Sequence, residues 1–223
     1  MKKIKLLNFT KNYNDYLGQG YQVYLKSNFE IKEGERIGLL GVNGAGKTTL
    51  CNLVSGNESL TSGSREVVGS VSWPIGVYSS LSANLTGNQN IAFICNLLNL
   101  NYEKMRSTVL EAAELNIHAN RKISTYSAGM KAKLSFFLSL AIDFDFFIFD
   151  EVTSVGDQSF RNKADAIFKD TLSGKGMILC SHNFNLIKKH CTKCYIINDK
   201  TISPKYSIDT AKDIYDGIIS KKN

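Results

Sequence analysis

Proline is almost absent from this chain. Pro74 and Pro204 are the two occurrences in 223 residues, which excludes a proline-rich linker or stalk. Long apolar runs are also missing. The nearest approach, residues 134–142, is short and carries Ser135 and Ser139. A membrane-spanning helix needs roughly 18 or more apolar residues, so the chain is not expected to cross a bilayer by itself. The opening Met-Lys-Lys-Ile-Lys is charged, but no apolar stretch or small-residue cleavage site follows, which argues against a secretory signal. Basic blocks are absent too. The 27 Lys and Arg outnumber the 20 Asp and Glu, giving +7, yet they are dispersed and form no nucleic-acid arm. The charge alone does not choose between a solvated basic surface, an anionic ligand, an anionic lipid surface and nucleic acid. No internal repeat or low-complexity tract is visible. With 43% hydrophobic residues, the chain can build the core of one globular domain with room for a small subdomain.

The five cysteines are Cys51, Cys95, Cys180, Cys191 and Cys194. An odd count without a secretory signal fits free thiols in a reducing compartment. Cys191 and Cys194 form a lone CxxC, with His190 beside it and His182 upstream. A metal or redox site is one reading. Because Cys194 opens the strand-like run Cys-Tyr-Ile-Ile, the favoured reading is buried, small, apolar side chains.

Residues 4–9 and 21–25 read as strands, and 36–40 as a short apolar strand entering a glycine-rich turn. Residues 47–54 follow as a helix. Ile91, Ile94, Cys95 and Leu98 fall on one helical face, and residues 102–115 predict a second helix with Met105, Val109 and Ala112 inward. Met130, Leu134, Phe137, Leu138 and Ala141 mark a third. Residues 146–149 are a buried strand, followed by a helix with Phe160, Ala164, Ile167 and Phe168 inward. Residues 177–180 are another buried strand. Further strands are expected near 194–197 and 201–203, and a last amphipathic helix carries Ile208, Ala211, Ile214, Tyr215 and Ile218. Alternating strands and helices predict an α/β fold around a mostly parallel sheet covered on both faces. The helical stretch predicts a single domain whose α/β core spans about 1–87 and 141–223, with a helical subdomain inserted at about 88–140.

Gly41, Val42, Asn43, Gly44, Ala45, Gly46, Lys47 and Thr48 complete the pattern G-x-x-x-x-G-K-[ST]. The glycines let backbone N–H groups converge on phosphate oxygens, and the following helix points its positive end at them. Lys47 reaches the β- and γ-phosphates in such a loop and Thr48 ligates Mg²⁺. The apolar run 146–149 ends in Asp150 and Glu151. A buried strand that delivers Asp150 to its C-terminal edge places it to hold the same Mg²⁺, with Glu151 placed to orient or deprotonate a water. Ser127, in Tyr126-Ser-Ala-Gly-Met130, is a good N-cap, and with the Gly129 N–H it can also face an anion. His182 follows the strand 177–180 and is expected beside the γ-phosphate.

The order of these elements resembles the nucleotide-binding subunit of ABC transporters over essentially the whole chain. Within that family the chain is most similar to the capsular polysaccharide export ATPases. Ser72-Trp-Pro-Ile-Gly76, Asn84-Leu-Thr-Gly87, Tyr126-Ser-Ala-Gly-Met130 and Val155-Gly-Asp157 carry that likeness. The resemblance implies a P-loop NTPase core of the ABC ATPase type that binds and hydrolyses ATP with Mg²⁺. It implies that Tyr13 stacks on adenine, that Gly41 to Thr48 and Thr49 bind phosphates, and that Ser127 and Gly129 contact ATP held by the other protomer. Asp150 serves the metal, Glu151 the attacking water, Asp157 the loop crossing the dimer, and His182 senses the γ-phosphate, with Lys47 and His182 counted beside Glu151 in catalysis. The implied partners are a second copy in a homodimer, a membrane permease subunit and polysaccharide export machinery, with no nucleic acid. The implied place is peripheral, on the cytoplasmic face of the bacterial inner membrane. Capsule is the favoured cargo, with O-antigen and teichoic acid as alternatives. A soluble non-transport ABC ATPase and a P-loop small-molecule kinase are the readings from other classes. Tyr78, Leu81 and Leu85 are expected to receive a permease helix.

This chain departs from the family pattern in places. The usual signature is Leu-Ser-Gly-Gly-Gln, whereas Tyr126, Ala128 and Met130 stand here for Leu, the first Gly and Gln. Val152 replaces the usual Pro after the catalytic Glu. No Gln lies between Trp73 and Asn88, where a metal-sensing Gln is expected, and Ser82 is assigned to that position.

Overall fold

Ile4 and Leu6 alternate with lysines, as a half-buried strand requires, but the next buried residue is Phe9, one position out of phase. A bulge absorbs the slip. Asn8 takes φ 46°, the pairing register shifts between Leu6 and Phe9, and the Asn8 N–H is caught by Asn28 Oδ1 at 2.8 Å. The computed structural model describes residues 1–14, 20–76, 81–150, 158–170, 172–181 and 183–220. In it β1 (Lys3–Asn14) pairs antiparallel with β2 (Gly20–Lys32). The chain then enters a second sheet as β3 (Arg36–Leu40) and continues through α1 (Lys47–Ser55). It returns as β4 (Ser62–Val68), which pairs antiparallel with the other edge of β1.

The second sheet adds β5 (Val71–Ile75), β6 (Phe146–Asp150), β7 (Gly176–Cys180), β8 (Lys193–Asn198), β9 (Thr201–Ile202) and β10 (Tyr206–Ser207). Its order is β10-β8-β3-β7-β6-β5, with β9 pairing on β8. The central strands β8, β3, β7 and β6 are mutually parallel. Every residue of β6 and β7 is buried, which explains why both read as unbroken apolar runs. One core joins the two sheets and α1. Ile4, Leu6, Phe9 and Tyr24 meet Ile37, Leu39, Ile148 and Ile178, together with Leu50, Cys51, Leu53 and Val54 of the helix.

The remaining helices are α2 (Gly87–Leu98), α3 (Tyr102–Ala113), α4 (Ala128–Leu140), α5 (Gln158–Asp170), α6 (Phe184–His190) and α7 (Ile208–Ser220). Single 3₁₀ turns lie at Asn116–His118 and Ile123–Thr125. The chain divides into two compact units. The first comprises Met1–Pro74, Phe144–Asp150 and Phe168–Asn223; the second comprises Ile75–Asp143 and the described part of Glu151–Ile167. In the second unit α3 packs on both α2 and α4. A reciprocal capping box starts α2: Gln89 N–H donates to Thr86 Oγ1 at 3.1 Å, and Thr86 N–H to Gln89 Oε1 at 2.9 Å. Asn101 caps α3 through Lys104 N–H at 2.9 Å. The expected α/β fold with a parallel-rich sheet is present. The antiparallel sheet β2-β1-β4, the strand β5 and the short helix α6 were not anticipated.

Candidate functional site

Buried Leu39 and Leu40 carry β3 to the sheet edge, where the chain turns through the glycine-rich loop into α1. Open α/β sheets bind their ligands at this edge. Two glycines are sterically required. A Cβ on Gly41 would sit 2.9 Å from the Ile197 carbonyl oxygen on β8. Gly46 has φ 110°, and a Cβ there would lie 2.7 Å from Val23 Cγ1 and 3.0 Å from the Tyr24 hydroxyl. The loop is also fastened from below: the Tyr24 hydroxyl donates to the Gly46 carbonyl at 2.9 Å. No side chain caps α1, so its first turn presents backbone N–H groups to an anion. Lys47 is 8% exposed, and its Nζ donates to the loop carbonyls of Gly41 at 2.7 Å and Val42 at 3.2 Å.

Asp150 ends β6 and is buried. The helix α1, which carries exposed Thr48, packs against that strand. A hydroxyl and a carboxylate are hard oxygen donors, the kind Mg²⁺ takes, so these residues fit that ion.

Tyr13 also belongs to this unit. Its hydroxyl donates to the Glu58 carboxylate and accepts from Thr49, which ties it to the residue after the loop. Its ring stacks on Tyr21 with centroids 5.3 Å apart, and Lys11 Nζ stands 4.5 Å from its centroid. Burial and the Glu58 carboxylate raise the Tyr13 pKa, with Thr49 opposing. For Glu58 itself, burial favours the neutral acid, but hydrogen bonds from Tyr13, Lys11 and Asn52 outweigh it and the pKa falls below the usual range. Sequence reasoning missed Tyr21, whose exposed ring extends the aromatic surface. Two tyrosines bracketing a hairpin were the available signal.

Ser127, Gly129 and Ser82 lie in the second unit. Ser127 Oγ accepts from Met130 N–H at 3.2 Å and caps α4. Ser127 and Gly129 line a pocket of about 220 Å³ with Glu114, His118 and Lys133. His118 Nδ1 is buried there without a hydrogen-bond partner. His118 and Lys133 were missed, since nothing in their spacing ties them to Ser127. The Ser82 side chain is exposed, and its backbone is clamped by Asn90: Ser82 N–H donates to Asn90 Oδ1 at 2.7 Å, and Asn90 Nδ2 to the Ser82 carbonyl at 3.1 Å. Leu81 lines a separate, mainly apolar pocket with Ala83, Ile123, Ala128 and Lys131. Glu151, Asp157, His182 and Tyr78 lie outside the described residues. Cys191 and Cys194 are buried and free. Burial pushes both thiols up, Cys194 to about 12.

Residues 24–154 match the family model described as ABC transporter. The chain belongs to the ABC transporter family. It is 36% identical over 213 residues to the ATP-binding protein BexA of Haemophilus influenzae, covering 95% of this chain and 97% of that one. It is 34% identical to the capsule polysaccharide export ATP-binding protein CtrD of Neisseria meningitidis serogroup B, covering 90% and 93%. A teichoic acids export ATP-binding protein, TagH of Lactococcus lactis, is 37% identical over 76% of this chain but only 37% of its own length. Among solved structures, the dimeric ATP-binding cassette MJ0796 bound to ADP and Pi superposes with a TM-score of 0.80 at 20% identity, covering 92% of this chain and 98% of that one. The resemblance to the capsular polysaccharide export ATPases is thereby borne out, as is the ABC ATPase fold. As a member of this family the chain is an ATP-binding cassette ATPase.

Proposed function

We propose that this ATPase energises export of a cell-surface polysaccharide, capsule foremost, through a separate membrane permease. Names support the cargo: the relatives matched over nine-tenths of both chains include a capsule polysaccharide exporter and a polysialic acid transporter. The teichoic acid exporters are matched over 36% to 62% of their own length. Among the described residues no helix is long and apolar enough to span a bilayer, so transport calls for a membrane partner. The mainly apolar pocket at Leu81 is the surface we assign to it, and the same reading has the protein peripheral on the cytoplasmic face of the inner membrane.

One observation carries the chemistry: a buried ammonium, Lys47, held at the mouth of an uncapped helix by two loop carbonyls. Phosphate oxygens are charged acceptors and compete well against neutral carbonyls for that ammonium. Gly41 to Thr49 present backbone donors, and Tyr13 with Tyr21 offers rings for the base. Thr48 and Asp150 would hold Mg²⁺, with Ser82 the candidate for sensing it. When bound, Mg²⁺ neutralises charge on the phosphates. Glu151 orients and deprotonates the attacking water, and His182 contacts the γ-phosphate. Ser127 and Gly129 face the ATP of a second copy, so the working unit is an isologous homodimer.

Two substitutions test this division of labour. Glu151→Gln should retain Mg·ATP affinity, lower hydrolysis by roughly 10²–10⁴ and trap an ATP-dependent dimer in light scattering with the permease present. Asp150→Asn should weaken Mg·ATP binding. A Glu151→Gln protein that stays monomeric with Mg·ATP, in cells that still build surface polysaccharide, overturns the reading.

A further inference from the structure

Cys51 lies in α1 just beyond the phosphate loop, and Cys180 closes β7. The nucleotide reading uses neither. Their Sγ atoms stand 3.2 Å apart, and both residues are fully buried. The parallel register sets Cys180 beside Asp150 on the neighbouring strand. Two sulfurs and a carboxylate oxygen lie within 4.8 Å of one another, and among the described residues no other group of three His, Cys, Asp or Glu side chains does so.

We propose that Cys51, Cys180 and Asp150 form an inhibitory site for a thiophilic divalent cation such as Zn²⁺, which captures the carboxylate that the nucleotide's own metal needs. Its inhibitory half rests on the role given to Asp150 above; its binding half does not. Two thiolates and a carboxylate make a three-ligand zinc set that leaves a fourth position for water. Zn–S bonds of about 2.3 Å at a tetrahedral angle separate the sulfurs by roughly 3.8 Å. The thiols therefore have to part by only about half an ångström. Mg²⁺ prefers oxygen and avoids thiolate, so the same corner of the site can tell the two ions apart. Binding releases the thiol protons. The Cys51 hydrogen bond, burial and the Asp150 carboxylate push the Cys180 pKa well up, with only the Lys47 ammonium opposing, so the thiol gives up its proton to the metal rather than resting as a thiolate.

The test titrates the full-length protein with Cd²⁺, without nucleotide and in a non-thiol reductant, and reads the ultraviolet thiolate-to-cadmium absorption. The band should persist in the Cys191→Ala/Cys194→Ala double variant. In Cys51→Ala and in Cys180→Ala the affinity should fall by more than roughly 100-fold, the upper end of what even an outer-shell partner costs. Either single variant serves if the other does not fold. A band that survives both single changes, or that disappears with Cys191 and Cys194, overturns the site. Mg·ATP should compete with the bound Cd²⁺, and Zn²⁺ should inhibit the wild-type ATPase while sparing Cys51→Ala. Equal inhibition of the two proteins overturns the proposal. Unchanged Mg·ATP affinity in Asp150→Asn would instead sink the role of Asp150, and the band measured without nucleotide still decides whether the thiol site exists.

Discussion

The hydroxyl of Tyr24 donates to the carbonyl of Gly46 across 2.9 Å, from a ring with no solvent exposure. Burial holds the Tyr24 pKa well above its ordinary value, so the donor keeps its proton at any working pH. The bond joins the antiparallel sheet to the last glycine of the phosphate loop, which holds a left-handed φ of 110°. Tyr24→Phe keeps the ring and its packing on Phe9, 5.2 Å away between centroids, and removes only the donor. Urea denaturation should show a loss of about 1 kcal/mol, and nucleotide titration a severalfold weaker affinity as the loop loosens. Loss of stability with unchanged affinity would mean that the loop holds its shape without this anchor.

Lys47→Ala removes the buried ammonium and leaves the Gly41 and Val42 carbonyls short of one donor. The loop's path is set by its glycines and by Tyr24, so the fold should survive with a cost of about 1–2 kcal/mol. Nucleotide binding should be abolished in calorimetric titration. An affinity near that of the wild type would contradict the assignment of this loop to phosphates.

Much of this arrangement is legible in the sequence, for physical reasons. The strands at 36–40, 146–149 and 177–180 are buried on both faces, so their apolar runs are unbroken. The loop is legible because its glycines meet demands other residues cannot: Gly44 and Gly46 hold left-handed φ values of 77° and 110°, and a Cβ on Gly41 would meet the Ile197 carbonyl. β4 left no such trace. Ser62–Val68 is almost wholly exposed, and it is held by pairing with β1 rather than by burial. α6 has seven residues, too few to show a helical period. The contacts from Tyr24 to Gly46 and from Cys51 to Cys180 join residues far apart in the chain, and no local pattern encodes them.

Asp145 gives a pH-dependent prediction. Lys2 Nζ donates to its carboxylate at 2.6 Å, the Ser70 N–H donates at 2.8 Å, and the Ser70 hydroxyl at 3.0 Å. Led by the Lys2 hydrogen bond, these contacts lower its pKa from 3.8 to about 2. A depressed folded-state pKa means that the stabilisation is complete above the unfolded value and is lost as pH falls from about 4 toward 2. Because Lys2 is 45% exposed, solvent screening reduces the contribution to the order of 1 kcal/mol. Asp145→Asn should therefore be less stable than the wild type at pH 7, and the gap should close as pH approaches 2. Denaturation curves of the two proteins at pH 7, 4 and 2 check this; a gap that stays constant would place the effect in packing rather than charge.

Tyr126 occupies the position where the family's usual signature has Leu, and the structure gives its hydroxyl a task that Leu cannot perform. The side chain is buried, and its Oη donates to the His118 carbonyl at 2.8 Å. The same oxygen lies 2.8 Å from where a Cβ on Gly87 would stand, with the Ala119 carbonyl 3.2 Å from that point. The hydroxyl therefore fixes both the turn before α4 and the small residue that opens α2. Tyr126→Phe should lower stability by about 1 kcal/mol through the lost hydrogen bond. Tyr126→Leu should cost more, because ring volume goes as well. Gly87→Ala alone should destabilise by about 1–3 kcal/mol, since the new methyl group meets the hydroxyl below contact distance. In the Tyr126→Phe background that collision is removed and only the Ala119 carbonyl remains close. Gly87→Ala should then cost less by at least about 0.5 kcal/mol, a coupling within the range for residues in contact. A double-mutant cycle by urea denaturation measures it, and strict additivity would show that Gly87 answers to the Ala119 backbone and not to Tyr126.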